Sequence, residues 1–335
     1  MSYLWVAKKL RITNLSGSTY IDILSDNNRF KQEPPLFMND NQDTAIKISI
    51  VIVTYNSQLY IKKCLDSIFK YNDVGASLEV IVVDNSPKTP AAQLSALLQE
   101  FYPNQVKYIK NDKNGGYGQG NNLGIQQASG DYIAIMNPDI TLTESLFQDA
   151  IQRLEGDSKL GIIGYKQIGG LDLAFYFRPE FYLPILTVLL TKVCNVLGVF
   201  NQKFMFLSGA FFFTTKASFE KIGNFDERLF LYCEESDVAN RFLKSGFSMH
   251  YNGSKSYLHE MDSREKMSPA GFQYFLDSVL YYLGKFSFSK ERYLSKLILD
   301  LQFKKLLYAV RSDSKNKAIV DAQLQQIYAC KQKMK

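Results

Sequence analysis

Between Lys47 and Met136 the chain repeats one pattern: a short apolar run, a polar break, then apolar residues at helical spacing. "KISIVIVT", "LEVIVVD", "VKYIK" and "DYIAIM" are rich in Ile and Val, as strands buried on both faces are. After the first run, Leu59, Cys64, Leu65, Ile68 and Phe69 fall on one helical face, and helices are expected near Ala91–Phe101 and Gln119–Ala128 as well. Strands alternating with helices predict an α/β fold with a parallel central sheet covered on both sides.

After Gly170 the alternation breaks down. An aromatic and aliphatic stretch over 172–206 precedes "FLSGAFFFTTK", "NFDERLFLYCEESDVANRFLKSGF" and "MHYNGSKSYLHE", and beyond Ser268 only helical patterns remain. Residues 1–45 are polar and close with the linker "KQEPPLFMNDNQDT"; a short strand pair is expected there, around Leu10–Thr13 and Tyr20–Leu24. The chain therefore divides into an N-terminal extension (1–45), one main domain (46–268, with halves 46–140 and 141–268) and a helical tail (269–335).

In such sheets ligands bind beyond the carboxyl ends of the strands. Polar residues gather at four consecutive ends: Thr54-Tyr55-Asn56, Asp84-Asn85, Asn111 to Asn114, and Asn137-Pro138-Asp139. Any one could be an ordinary turn, since Asn, Asp and Pro favour turns. "NGGYGQGNNLG", 114–124, misses both the dinucleotide fingerprint and the P-loop, although its glycines and helix start could still take an anion. Asp139 could serve as an oxygen ligand for Mg²⁺ or Mn²⁺. "CEESD", 233–237, places Glu234, Glu235 and Asp237 in one turn, where compensation of a helix dipole is the plain alternative. Of the two histidines, His259 stands in "YLHEMDS", after a predicted strand, where it could complete an oxygen-and-imidazole metal site.

Charge refines this picture. From Lys285 onward 12 Lys plus Arg face 4 acids, while the rest of the chain carries 27 against 29, so the formal +6 belongs to the tail. Nucleic acid is not the expected partner. Lys296, Lys304, Lys305 and Arg311 beside Leu294, Leu297, Ile298, Leu301, Leu306 and Leu307 read as a basic amphipathic helix for an anionic membrane surface, or as a solvated helix face. The stretch 181–200 is apolar but interrupted by Pro184, Lys192 and Asn195, which suits a core-packed or interfacial helix better than a spanning one. Four scattered cysteines and an N-terminus without a secretory pattern point to free thiols in the cytoplasm.

The ordered set "VIVTYN", "VIVVDNS", "NGGYGQGNNLG", "DYIAIMNPD", "SGAFFF", "GNFDERLFLYCEESDVANRFLKSGF" and "HE" resembles the family 2 inverting glycosyltransferases of the GT-A fold. Within them it is similar to the rhamnosyltransferase-like branch of bacterial O-antigen and capsular polysaccharide synthesis. The resemblance covers about Lys47 to Arg264. It implies that Thr54, Tyr55, Asn56, Asp84 and Asn85 hold the nucleoside, with Asp84 accepting from a pyrimidine imide. Asn114, Gly115, Gly116 and Asn121 would line the donor sugar and diphosphate. "NPD" stands where the family has Asp-x-Asp, so Asp139 would bind Mg²⁺ or Mn²⁺, Asn137 replaces the first acid, and His259 would be a further ligand. The family's base falls on Glu235, with Glu234 and Asp237 as rivals. A nucleotide-sugar donor follows, dTDP-rhamnose before UDP-galactofuranose or another UDP-hexose. A lipid-linked oligosaccharide acceptor at the inner face of the cell membrane follows too. A nucleotidyltransferase would need glycine after the first strand, which "TYNSQLYIKK" lacks. A non-catalytic adaptor would not need the 234–237 acids.

Overall fold

The computed structural model describes residues 47–260 and 268–334. The expected N-terminal strand pair lies outside them. The four apolar runs form β1 (Ile48–Thr54), β2 (Leu78–Asp84), β3 (Val106–Lys110) and β4 (Tyr132–Met136). They are joined by α1 (Gln58–Lys70), α2 (Lys88–Phe101) and α3 (Gly116–Gln126). β1 pairs in parallel with β2 and β4, and β2 with β3.

The alternation of side chains along β1 explains why its run is almost wholly apolar. Ile48, Ile50 and Ile52 enter one core, with Ile61, Leu65 and Ile68 of α1. Val51 enters the other, with Ile81, Val83, Ile125, Ile133 and Ile135. Each such side chain contributes about 1.5–3 kcal/mol relative to exposure, and the buried Ser49 among them is satisfied by donating to Glu79.

The remainder is mixed rather than parallel. β5 (Ile140–Leu142), α4 (Phe147–Gly156), β6 (Leu160–Ile168), β7 (Phe175–Phe177), α5 (Leu186–Leu197), β8 (Met205–Leu207) and β9 (Phe211–Thr215) follow in order. Then come α6 (Lys216–Lys221), α7 (Glu234–Lys244) and β10 (Ser248–His259). The sheet runs β3-β2-β1-β4-β9-β6-β10-β5, and β7 pairs with β8 apart from it. β9 is antiparallel to both β4 and β6, while β10 is parallel to β6 and antiparallel to β5. Thus β9 brings the second half of the chain directly against the carboxyl end of β4.

Three helices close the described chain: α8 (Pro269–Lys285), α9 (Lys290–Val310) and α10 (Ser314–Lys333). Part of their basic charge is paired internally. Lys285 binds Asp226 and Asp237, Lys304 binds Asp300, and Lys305 binds Asp321. Lys296 donates to the Tyr182 carbonyl. Of the four bases expected on a basic helix, Lys304 and Lys305 are thus in ion pairs, and α8 buttresses the main domain through Lys285.

Candidate active site

The ends of β1 and β2 are level, since Thr54 is in register with Asp84. Asp84 is fully buried and faces inward. Its Oδ1 accepts from the Thr54 hydroxyl at 3.1 Å and the Ser86 N–H at 2.9 Å, and its Oδ2 from the Tyr108 hydroxyl at 2.9 Å. Those bonds fix the loop, and Ser86 in turn accepts from the Asn56 N–H. Tyr55 and Asn56 are the exposed residues of this end, Asn56 with φ of 53°. Ser86 and Tyr108 are unmarked in the sequence pattern, because a hydroxyl that props a carboxylate carries no spacing signal.

The glycine-rich stretch is used first for packing. A Cβ on Gly116, Gly120 or Gly124 would collide with the Phe230 carbonyl, Val53 or Val51 respectively. These positions recur every fourth residue, so they form the face by which α3 lies against β1 and the 230 loop. Asn85 donates to the Gly116 carbonyl and accepts from Asn111, and Asn114 accepts from the Gly116 N–H. Gly115 precedes α3 as its cap residue. Asn121 is fully buried, and its Oδ1 has no hydrogen-bond partner among the described residues.

Asp139 and His259, 120 positions apart, meet at the end of the sheet. β5 starts just after Asp139 and pairs with the end of β10, Ile140 opposite His259. His259 is thus the last residue of a strand rather than part of a following loop. Its Nε2 lies 3.2 Å from Asp139 Oδ2, without hydrogen-bonding geometry, and neither ring nitrogen has a hydrogen-bond partner among the described residues. Two adjacent ligands of an octahedral ion at about 2.1 Å stand about 3.0 Å apart. The pair fits a divalent cation on that measure. Among the described residues no third His, Cys, Asp or Glu joins them, so the other positions would fall to substrate oxygens and water. Behind the loop, the buried Cys64 thiol approaches the Asn137 carbonyl at 3.8 Å; burial, with Asp139 nearby, pushes its pKa far up.

The acid cluster opens α7 behind two residues in the left-handed region, Tyr232 (φ 76°) and Cys233 (φ 67°). The three acids face different surroundings. Asp237 is fully buried and bound by Arg241 at 2.7 Å and Lys285 at 2.5 Å, which makes it a structural ion pair. Glu234 is buried, and its Oε1 has no hydrogen-bond partner among the described residues; burial, then Glu235 and Asp237, pushes its pKa well above 4.5. Glu235 lies over Gly209, where a Cβ would strike its carboxylate.

Gly209 links the acid to the metal-type pair. The Tyr117 hydroxyl donates to the Gly209 carbonyl at 2.6 Å, and the next residue, Ala210, accepts from the Asn137 N–H at 2.8 Å. Burial, then Glu235 and Glu234, keeps the Tyr117 phenol protonated. Glu235 therefore rests on the chain segment that hydrogen-bonds the loop carrying Asp139. Gly209 falls in the "SGAFFF" motif, the signal by which the sequence could have marked it.

A mixed α/β sheet with helices on both faces, carrying carboxylates at its strand ends, defines the GT-A glycosyltransferase fold. The profile of Glycosyl transferase family 2 matches residues 49–223, more than half of the chain. The chain belongs to that family. It is similar to rhamnosyltransferase WbbL of Escherichia coli (strain K12), 25% identical over 259 residues that cover 71% of this chain and 93% of that one. Glycosyltransferase GlyG of Streptococcus pneumoniae serotype 4 is 29% identical over 133 residues, 39% of this chain, and the match spans only 42% of GlyG. Among solved structures, mannosyltransferase PcManGT from Pyrobaculum calidifontis, in complex with GDP-Man and Mn²⁺, superposes with a TM-score of 0.52 at 12% identity. That likeness covers 84% of this chain and 87% of PcManGT, and it bears on the fold.

Proposed function

We propose that this protein is an inverting, divalent-cation-dependent glycosyltransferase that moves L-rhamnose from dTDP-rhamnose to a lipid-linked polysaccharide precursor. The observation that carries the reading is the meeting of Asp139 and His259 beside a loop bonded to Ala210, one residue from the Gly209 on which Glu235 rests. A metal-type site and a carboxylate thus share one end of the sheet. The similarity to WbbL along most of both chains favours rhamnose.

A bound Mg²⁺ or Mn²⁺, held by Asp139 and His259, would stabilise the charge that builds on the departing diphosphate. The chain's own residues do the rest. Tyr55 and Asn56, exposed at the end of β1, face the nucleoside, and Asp84 holds their loop from behind. Asn114 to Asn121 border the diphosphate and sugar. Glu235 takes the proton of the acceptor hydroxyl as its oxygen bonds to the anomeric carbon and the bond from that carbon to the phosphate oxygen breaks. One displacement with one base inverts the anomeric centre. Burial, which pushes the Glu234 pKa up, and the Arg241 and Lys285 pairs of Asp237 support Glu235 over its two neighbours as that base.

The test is a thermal-shift panel of dTDP-rhamnose, UDP-galactofuranose and UDP-hexoses with and without Mn²⁺, since a ligand that binds only the folded state raises its stability. dTDP-rhamnose should give the largest cation-dependent shift. A larger shift with a UDP-hexose replaces the donor, and no cation-dependent shift with any donor overturns the reading.

A further inference from the structure

α5 is turned inside out. Its uncharged polar residues Thr187, Thr191 and Asn195 recur every fourth position, and of these Thr191 is buried and Asn195 bonds the protein backbone. The Asn195 side chain accepts from the Ala174 N–H and donates to the Phe175 carbonyl. Leu186, Leu189, Leu190, Val193, Val196 and Leu197 occupy the opposite face, with Leu189 60% and Val196 84% exposed. A water-facing helix normally shows the reverse pattern.

The lead-in to this helix is held in a strained form. Ile185 has φ of 66°, costly for a β-branched residue. The Leu186 N–H bonds back to the Pro184 carbonyl across it, and the Ile185 N–H is taken by Asp300 of α9 at 2.9 Å. Asp300 is buried and paired with Lys304. On α9 itself, Leu299, Phe303, Leu306 and Val310 recur at three- and four-residue intervals and are all exposed, Leu306 by 61% and Val310 by 77%. A second apolar stripe thus stands on the helix that anchors the first.

Charge selects the occupant. From Phe181 to Phe204 the chain has no acid and two lysines, Lys192 and Lys203. On α9 the acid between the stripe residues, Asp300, is buried and neutralised by Lys304. An apolar α5 face whose own segment carries lysines and no acid suits a layer of acyl chains beneath anionic headgroups.

We propose that the outer face of α5, with the Leu299–Val310 stripe of α9, inserts into an anionic lipid surface. The proposal rests on the reading of a lipid-linked acceptor only for its purpose, which is to hold the enzyme where that acceptor lies. Because Lys304 and Lys305 of α9 are held by Asp300 and Asp321, attachment is chiefly apolar and so outlasts salt.

Full-length protein should sediment with phosphatidylethanolamine–phosphatidylglycerol vesicles and stay bound at about 1 M salt, where screening reaches only about 3 Å. Leu189→Gln with Val196→Gln, both at exposed positions, should keep the wild-type circular dichroism and melting temperature yet lose vesicle partitioning by about 10²-fold. Wild-type protein left in the supernatant, or a double variant that binds like wild type, overturns the proposal. So does a wild-type dimer in sedimentation equilibrium that the double variant dissolves, since the face would then join two copies of the chain. Sugar transfer is not read in this assay, so a wrong donor or acceptor shows in the thermal-shift panel and leaves the vesicle result standing.

Discussion

His259 Nε2 lies 3.2 Å from Asp139 Oδ2 because β5 pairs with β10, not because the two are near in sequence. Both are ligands a divalent cation accepts as they stand, one carboxylate and one imidazole with no hydrogen-bond partner among the described residues. Asp139→Asn and His259→Ala should therefore each abolish the cation-dependent part of donor binding. Transfer should fall by about 10²–10³-fold, the usual cost of losing one preorganised electrostatic partner. Titration calorimetry with and without Mn²⁺ checks this. Unaltered cation dependence in both variants would return Asp139 to the role of a turn residue.

Glu235→Gln should bind donor as well as wild type and lose transfer by about 10²–10⁴-fold, the range of a general base. Glu234→Gln should behave differently, because burial, then Glu235, pushes the Glu234 pKa up. A carboxyl whose folded pKa is raised contributes stability fully below its ordinary value of 4.5 and loses it as pH rises toward the folded value. The melting temperature of Glu234→Gln relative to wild type should thus climb as pH rises from 4.5. A flat difference across that series would show that Glu234 ionises normally in the folded protein.

Gly209→Ala tests the seat of Glu235 without touching the acid. The added methyl collides with the carboxylate, while the Gly209 carbonyl can still accept from Tyr117. Displacement of a reacting group by about 1 Å can cost 10²-fold in rate. Transfer should drop by about that factor, with donor binding little changed. Wild-type kcat in this variant would remove Glu235 from the reaction.

Lys285→Met should destabilise the fold by roughly 3–5 kcal/mol, as loss of one partner from a buried ion pair does. Lys285 serves both Asp237, at the start of α7, and Asp226. Burial pushes the Asp226 pKa up, but hydrogen bonds from Arg228, Lys285 and Tyr281 outweigh it and hold it below 3.8. A lowered carboxyl contributes stability above its ordinary value and loses it as pH falls through the folded one. The gap between wild type and variant in urea denaturation should therefore narrow below pH 3.8.

The local pattern along the chain determined the four leading strands, their helices and the helical C-terminal region, because burial on both faces demands continuous Ile and Val, and helical spacing is read from neighbours alone. It also determined the family, since the ordered motifs carry it. The acid cluster at 234–237 was legible, but not which acid does what: three carboxylates in one turn look alike until burial, Arg241, Lys285 and Gly209 distinguish them. Asp84 was legible as a polar strand end, yet only the register of β1 with β2 turns it inward to Thr54. Lys285 and Lys305 read as part of a basic surface because their partners, Asp226, Asp237 and Asp321, come from distant parts of the chain and are set by packing. The apolar run at 181–200 fixed a helix but not which side of it meets water. That was decided by Asn195, whose amide satisfies the backbone at Ala174 and Phe175 and so turns the polar face in and the leucines out.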